Sequence, residues 1–224
     1  MSMLTNLDLI RRVSLFAMLT PAQAETIANA VSKQRFKRGE CLVAQGDISD
    51  ALYIILSGRT RVLMTDSKGR EVILATLRTG DYIGEMSLID NEAHSATVTA
   101  EVQTDVLVLG REAFSRCLGE NMSMAYAIMR GLVHRLRGAD QKIGSLALMG
   151  VYGRVATVLL ENAVPGENGE HLIRDKISRQ DLAKMVGASR EMVSRVMKDF
   201  EENGFIETLE SGIICVHERR TKPR

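Results

Sequence analysis

Ser178-Arg-Gln-Asp-Leu-Ala-Lys-Met-Val-Gly187-Ala-Ser189-Arg-Glu-Met-Val-Ser-Arg195-Val-Met-Lys198 is the stretch on which the reading of this chain turns. Ser178 with Asp181 three residues on resembles a capping box, Ser189 is placed to cap a second helix, and Gly187 supplies the turn between them. Leu182, Met185, Val186, Val193 and Val196 fall at inward spacings, whereas Arg190, Glu191, Ser194, Arg195 and Lys198 recur on the opposite face. Two short helices meeting at a glycine turn, the second with a polar outer face, predict a helix-turn-helix. Short β-rich runs around Phe205 to Leu209 and Ile213 to His217 add a wing. An ordinary solvated helix pair is the competing reading, and it leaves caps, turn and hairpin unconnected.

The whole chain carries a formal net charge of +1, with 25% charged and 45% hydrophobic residues. Such a balance argues against coating nucleic acid through bulk charge, which needs clustered Lys and Arg. From Lys176 to Lys198, however, six cations face two acids, so +4 is concentrated there and the remainder of the chain carries −3. Arginine can present two donors to a guanine edge and glutamate can accept from a cytosine amino group, which suits Arg190, Glu191 and Arg195 to base readout in double-stranded DNA. Arg179, Lys184, Ser189 and Lys198 are suited to phosphates, which position a protein without specifying sequence.

At 224 residues there is room for one to two domains. An α+β fold class is expected. An N-terminal helix, with Thr20 as cap and Pro21 at its first position, leads into a β-roll (jelly roll), residues 1–110 together. Runs at Leu52 to Leu56, Thr60 to Met64, Glu71 to Leu77, Ser95 to Ala100 and Asp105 to Leu109 are punctuated by glycines from Gly39 to Gly110, and Asp66 to Gly69 forms a hairpin turn. Residues 111–148 lack proline and read as a long dimerisation helix, with apolar residues at Ala125, Met129, Leu132, Leu136, Ala139, Ile143 and Leu146 in the a/d rhythm of a coiled coil. A homodimer is the expected assembly; packing of that stripe on the β-roll is the alternative. Gly131, Gly138 and Gly144 each weaken this helix by about 1 kcal/mol relative to Ala. Residues 149–224 form the winged helix-turn-helix, with a surface loop at Pro165 to Gly169.

Cys41, Cys117 and Cys215 are odd in number and widely spaced, which fits a reducing, cytoplasmic setting. No apolar run approaches the roughly 18 residues of a membrane span. A second chemical segment is Gly84-Glu85-Met86-Ser87-Leu88 with His94-Ser95-Ala96. It offers close backbone approach, a carboxylate that accepts from hydroxyls, and donors that hold an anion, a set suited to a sugar phosphate. A turn around a satisfied buried carboxylate accounts for the same residues equally well.

With Arg179-Gln180, Val186-Gly187, Ser189-Arg190-Glu191 and Arg195 behind a β-roll and a long helix, the chain resembles the Crp/Fnr family of bacterial transcription regulators over nearly its whole length. In the best-known branch of that family the residues matching Arg190, Glu191 and Arg195 read a TGTGA-type half-site, so the resemblance implies a palindromic TGTGA/TCACA operator. It also implies that the glutamate matching Glu85 binds ribose and the serine matching Ser95 binds a cyclic phosphate. Three departures count against cyclic AMP. His94 replaces an arginine, with one residue fewer between it and Glu85, and Ala139 and Asp140 stand where cyclic-AMP binders offer hydroxyls to adenine. Cyclic di-GMP, to which some members answer, is a candidate, as is the absence of any small ligand. Three cysteines fall short of the family's iron–sulfur sites, and His94, His134, His171 and His217 lack a context that marks a haem ligand. No zinc spacing occurs.

RNA polymerase is an expected partner, with the Pro165 to Gly169 loop either touching it or serving as a solvated connection. A phosphodiesterase built on Glu85, His94 and Asp90 is the enzymatic alternative, weakened by the lack of a metal cluster or nucleophile motif, and the chain is not expected to be an enzyme. A ligand-independent DNA-binding dimer with a vestigial β-roll is the third reading. The expected mechanism has ligand at the junction of the roll and the long helix bias the helical seam, rotating the C-terminal domains until the two reading helices stand one DNA turn, about 34 to 36 Å, apart. The helix glycines are the expected bistable element.

Overall fold

A computed structural model of the chain describes residues 5–11, 13–48, 50–166, 170–175, 177–209 and 212–217. Two compact units divide it, Met1–Arg137 and Gly138–Arg224. Lys176 and residues 167–169 of the expected loop lie outside the described residues.

The first unit opens with α1 (Asn6–Ile10) and α2 (Pro21–Ala30). Thr5 and Asp8 cap the first reciprocally and Thr20 and Gln23 the second, with Pro21 at the first helical position. Eight strands follow: β1 (Val31–Phe36), β2 (Cys41–Val43), β3 (Ala51–Ser57), β4 (Arg59–Thr65), β5 (Glu71–Arg78), β6 (Tyr82–Ile83), β7 (Thr97–Ala100) and β8 (Thr104–Gly110). They form two antiparallel four-stranded sheets, ordered β1-β8-β3-β6 and β2-β7-β4-β5. Phe36, Ile55, Ile83 and Val106 from one sheet meet Leu42, Val43, Val98 and Ala100 from the other, so the apolar core lies between them. This is the expected roll, but it begins at Val31 rather than near Gly39. The sequence reading missed β1 because Ser32, Lys33, Gln34 and Arg35 are all exposed, leaving Val31 and Phe36 as its buried ends.

The β4–β5 hairpin turns where Asp66-Ser67-Lys68-Gly69 predicts it. Gly69 takes φ +75°, and the Asp66 carboxylate accepts from the Lys68 and Arg70 backbone N–H groups. Between β6 and β7, Glu85–Asp90 forms the short helix α3.

The proline-free stretch expected to be one long helix is two, α4 (Arg111–Glu120) and α5 (Met122–Leu148). Asn121 breaks it: its backbone is extended (φ −129°, ψ 92°), its side-chain amide donates to the Cys117 carbonyl at 2.8 Å, and its own carbonyl accepts from Ala125. An asparagine side chain that satisfies the ending helix removes the need for proline or glycine. Met124 and Ile128 of α5 are buried in a cluster with Ile10, Ile27, Leu52, Ile54, Leu107, Leu109 and Phe114. Each such side chain, nearly inaccessible, contributes roughly 1.5 to 3 kcal/mol.

The second unit contains α6 (Val151–Asn162), the two expected helices α7 (Arg179–Val186) and α8 (Arg190–Glu202), and a four-stranded sheet. Its order is β11-β12-β10-β9, with β9 (Val164–Pro165), β10 (His171–Ile173), β11 (Ile206–Thr208) and β12 (Ile214–Val216). The wing is therefore half of a larger sheet, whose other half flanks the Pro165 to Gly169 loop and is too short to show periodicity. Val155, Leu159, Leu182, Val186, Val193, Val196, Met197 and Ile206 close its core.

The α5 glycines differ. A Cβ on Gly131 would stand 1.9 Å from the hydroxyl of Tyr82, a buried side chain, whereas nothing lies within 4 Å of one on Gly138 or Gly144. Gly138→Ala and Gly144→Ala should each stabilise the protein by up to about 1 kcal/mol in urea denaturation. Gly131→Ala should lower the midpoint instead, and equal effects at all three positions would contradict this account.

Candidate functional site

In the first unit the ligand-type residues gather around α3. Gly84 caps it in the left-handed region (φ 96°), a conformation open to glycine at little cost. Glu85, its first residue, is 1% exposed. Ser87 and Ala96 are buried, Met86 and Ser95 are exposed, and His94 is half-buried. His94 is held by its backbone, its N–H donating to Asp47 at 2.7 Å and its carbonyl accepting from Gly46 at 2.9 Å. Burial lowers the His94 pKa, against an opposing pull from Asp47, so the ring supplies no fixed positive charge at neutral pH.

The cation is elsewhere. Arg135, from α5, donates from Nη1 to Glu85 Oε1 at 2.5 Å and from Nη2 to the Tyr82 carbonyl at 2.5 Å, and its guanidinium lies 4.9 Å from the centre of the Tyr82 ring. Burial pushes the Glu85 carboxyl up and the Arg135 charge pulls it back. The Tyr82 hydroxyl in turn donates to the Ile128 carbonyl of α5 at 3.4 Å. Sequence reasoning missed both residues. Arg130, Arg135 and Arg137 lie close together on one helix, and nothing local marks the one that turns inward. Ala139 and Asp140 are exposed residues of the second unit.

A buried carboxylate accepts from hydroxyls and a guanidinium donates to anions, so the Glu85–Arg135 pair has the chemistry to hold a sugar hydroxyl and a phosphate. Among the described residues no cluster of His, Cys, Asp and Glu could hold a metal ion. Cys41 is exposed and Cys117 and Cys215 are buried, all three as free thiols. No described helix is long and apolar enough to cross a membrane.

In the second unit, Ser178 accepts from the Asp181 backbone N–H at 3.0 Å and donates its hydroxyl to the Asp181 carboxylate, while Ser189 accepts from Met192 at 3.2 Å. Gly187 ends α7 at φ 61°. Val193, Val196 and Met197 turn inward and Arg190, Glu191, Ser194, Arg195 and Lys198 are exposed, so one face of α8 is polar throughout. Met197 joins the inward set and Met185 is half-buried. Glu191 is held ionised by hydrogen bonds from its own backbone N–H and from Ser189, assisted by Arg190. Arg179 pairs with Glu201 at 3.7 Å and Lys198 with Glu202 at 3.5 Å. Lys184 is half-buried. Behind α8, Tyr152 bonds Asp199 and its ring meets Phe200, which meets Phe205 at 4.8 Å.

A β-roll that carries a buried carboxylate–guanidinium pair, joined in one chain to a winged helix-turn-helix, defines a two-module protein. Residues 33–121 match the cyclic nucleotide-binding domain family and residues 153–221 the Crp-like helix-turn-helix domain family. The chain is 33% identical over 183 residues to the cAMP-activated global transcriptional regulator Vfr of Pseudomonas aeruginosa, covering 78% of this chain and 84% of that one. It is likewise 33% identical to the cAMP-activated regulator CRP of Salmonella typhimurium, over 74% and 80% of the two. Among solved structures, the Thermus thermophilus catabolite activator protein is 32% identical, with TM-score 0.54 and coverage of 91% and 93%. The c-di-GMP-responsive regulator CLP of Xanthomonas campestris has TM-score 0.77 at 22% identity over 88% and 100%, a likeness of fold. The chain belongs to the Crp/Fnr family of transcription regulators, proteins of the helix-turn-helix DNA-binding type.

Glu85 and Arg135 make a pH prediction. A carboxyl whose folded pKa lies above its unfolded value stabilises the fold below the unfolded pKa, and that contribution is lost as pH rises through the folded pKa. Arg135→Ala removes the opposing pull and raises the Glu85 pKa further. As pH rises above the ordinary glutamate range of about 4, the variant should therefore lose urea stability relative to wild type, and adding Glu85→Gln should flatten the difference. Parallel pH profiles would count against the pairing.

Proposed function

We propose that the protein is a homodimeric regulator that reads a palindromic TGTGA-like operator and is controlled by a nucleotide held at Glu85. In this reading Arg190, Glu191 and Arg195 contact base edges, while Arg179, Lys184, Ser189 and Lys198 meet phosphates. Ser189, Arg190, Glu191, Arg195 and Lys198 are exposed on α8 and at its start, which supports their part of the assignment, whereas Arg179 and Lys184 are half-buried on α7. Arg179 and Lys198 would exchange their glutamate partners for DNA phosphates, which lessens the gain from each.

The observation that carries nucleotide control is the Arg135–Glu85 bond. Among the described residues Glu85 is the one buried carboxylate, and its partner belongs to the helix that continues as the dimer stripe. Glu85 accepting from a sugar hydroxyl, Ser95 donating to a phosphate oxygen and Arg135 turning toward that phosphate would change what α5 is tied to. A ligand shifts such an equilibrium only by its differential affinity for the two arrangements. Arg135 also supplies the guanidinium that His94 lacks, which restores cyclic AMP as a candidate beside cyclic GMP and cyclic di-GMP. Calorimetry against all three, with and without a TGTGA/TCACA duplex, tests the reading; no binding by any would leave the DNA-binding dimer with a vestigial roll.

Exposed Tyr126, Met129, Val133, Leu136 and Ile143 line one face of α5, each half or more accessible. Their spacings of 3, 4, 3 and 7 residues are those of a coiled-coil seam. Ala125 and Leu132 of the expected seam are half-buried instead, Leu132 packing on the first unit's core. Leu136→Asp should convert a dimer to a monomer in sedimentation and abolish operator binding, and an unchanged sedimentation profile would place the interface elsewhere.

Arg190→Ala or Arg195→Ala should cost roughly 1 to 3 kcal/mol on the operator and relax specificity at one base position. Lys198→Ala should weaken binding alike on all sequences and reduce the salt slope by about 1. Fluorescence anisotropy on single-base variants separates the two patterns, and a uniform loss for Arg190→Ala would exclude direct readout there.

A further inference from the structure

The far end of α3 is held by a second arginine. Arg111, the first residue of α4, donates from Nη1 to the Asn91 side-chain oxygen at 2.6 Å and to the Leu88 carbonyl at 3.5 Å. Its Nη2 donates to the Ser87 carbonyl at 3.3 Å. Its backbone N–H donates to the Asp50 carbonyl at 2.7 Å, and its Nε lies 3.5 Å from the Asp50 carboxylate. Ser87 and Leu88 lie in the last turns of α3, the Ser87 carbonyl also accepting from the Asn91 backbone N–H at 3.1 Å, and a cation is favoured beside the carbonyl end of a helix. Asn91, in the left-handed region at φ 61°, ends the helix and turns its amide oxygen to the same guanidinium. Such a backbone is uncommon for a non-glycine residue and persists where the surroundings fix it.

A six-residue helix is thus pinned at both ends from the helical segment that follows the roll, by Arg135 of α5 at Glu85 and by Arg111 of α4 at residues 87, 88 and 91. We propose that Arg111 is a positioning residue for the nucleotide pocket: it fixes where Glu85 stands by fastening the end of α3 to α4, and so links pocket occupancy to the helices beyond. The second half of this statement rests on the nucleotide reading above. The first half does not.

Full-length Arg111→Gln and Arg111→Lys variants test it, by amide hydrogen exchange and by operator titrations with cyclic AMP or cyclic GMP as probe. In Arg111→Gln the Leu88 and Asn91 amides, which bond Gly84 and Ser87, should exchange at least tenfold faster while β3 and β8 keep wild-type protection. Arg111→Lys, which keeps the charge but not the fork, should recover part of that protection. Where a probe binds wild type, Arg111→Gln should still bind it but lose at least tenfold of its effect on operator affinity. Wild-type exchange at α3 would overturn the proposal, as would an equal rise across β3 and β8, which marks general loosening, or an intact nucleotide effect on the operator. If neither these probes nor cyclic di-GMP bind wild type, the nucleotide reading fails, and the exchange measurement still decides whether Arg111 places α3.

Discussion

Glu85 is ionisable and almost wholly removed from water, and burying such a group costs several kcal/mol unless an opposite charge accompanies it. Arg135 is that charge, and its position on α5 gives the ion pair a structural consequence. The same guanidinium bonds the Tyr82 carbonyl and lies over the Tyr82 ring, whose hydroxyl reaches back to α5 at Ile128. Roll and helix are therefore fastened by a closed circuit of polar contacts superimposed on the apolar packing of Met124 and Ile128. Apolar packing alone tolerates small slides; charge-assisted bonds with fixed directions do not.

The helix-turn-helix was legible because its signals are local. Ser178, Gly187 and Ser189 act within four residues of themselves, and the amphipathic face of α8 repeats over 13 residues. The roll was legible through its glycines and apolar runs, except at β1, β2 and β6, which are short or carry exposed polar residues. Around α3, Gly84 and Glu85 stand out in a contiguous motif of the sequence, and the structure places Glu85 in the interior. Arg135 does not stand out, because its partner is 50 residues away and its neighbours Arg130 and Arg137 have the same chemistry. Asn121 escaped for a related reason: it ends α4 through a side-chain bond that only the folded geometry shows.

The near-zero net charge acquires a more specific meaning in the structure. Arg179 and Lys198, on the helix-turn-helix, are each beside a glutamate of α8, so part of the local excess of cations is neutralised internally. Exposed ion pairs of this kind contribute little to stability, about 0 to 1 kcal/mol. Their larger effect is on selection, since a phosphate has to compete with a carboxylate already present, and contacts to base edges then weigh more in total affinity.

Gly131 has a mechanical consequence. The Tyr82 hydroxyl lies where its Cβ would be, so the ring sits in a notch cut into the surface of α5. A rod keyed in this way cannot spin freely in its seat, because turning it would bring the side chains of neighbouring positions against a ring with nowhere to move. A signal passing along α5 would then take the form of a tilt, a shift along the axis, or a coordinated movement of Tyr82 with the helix.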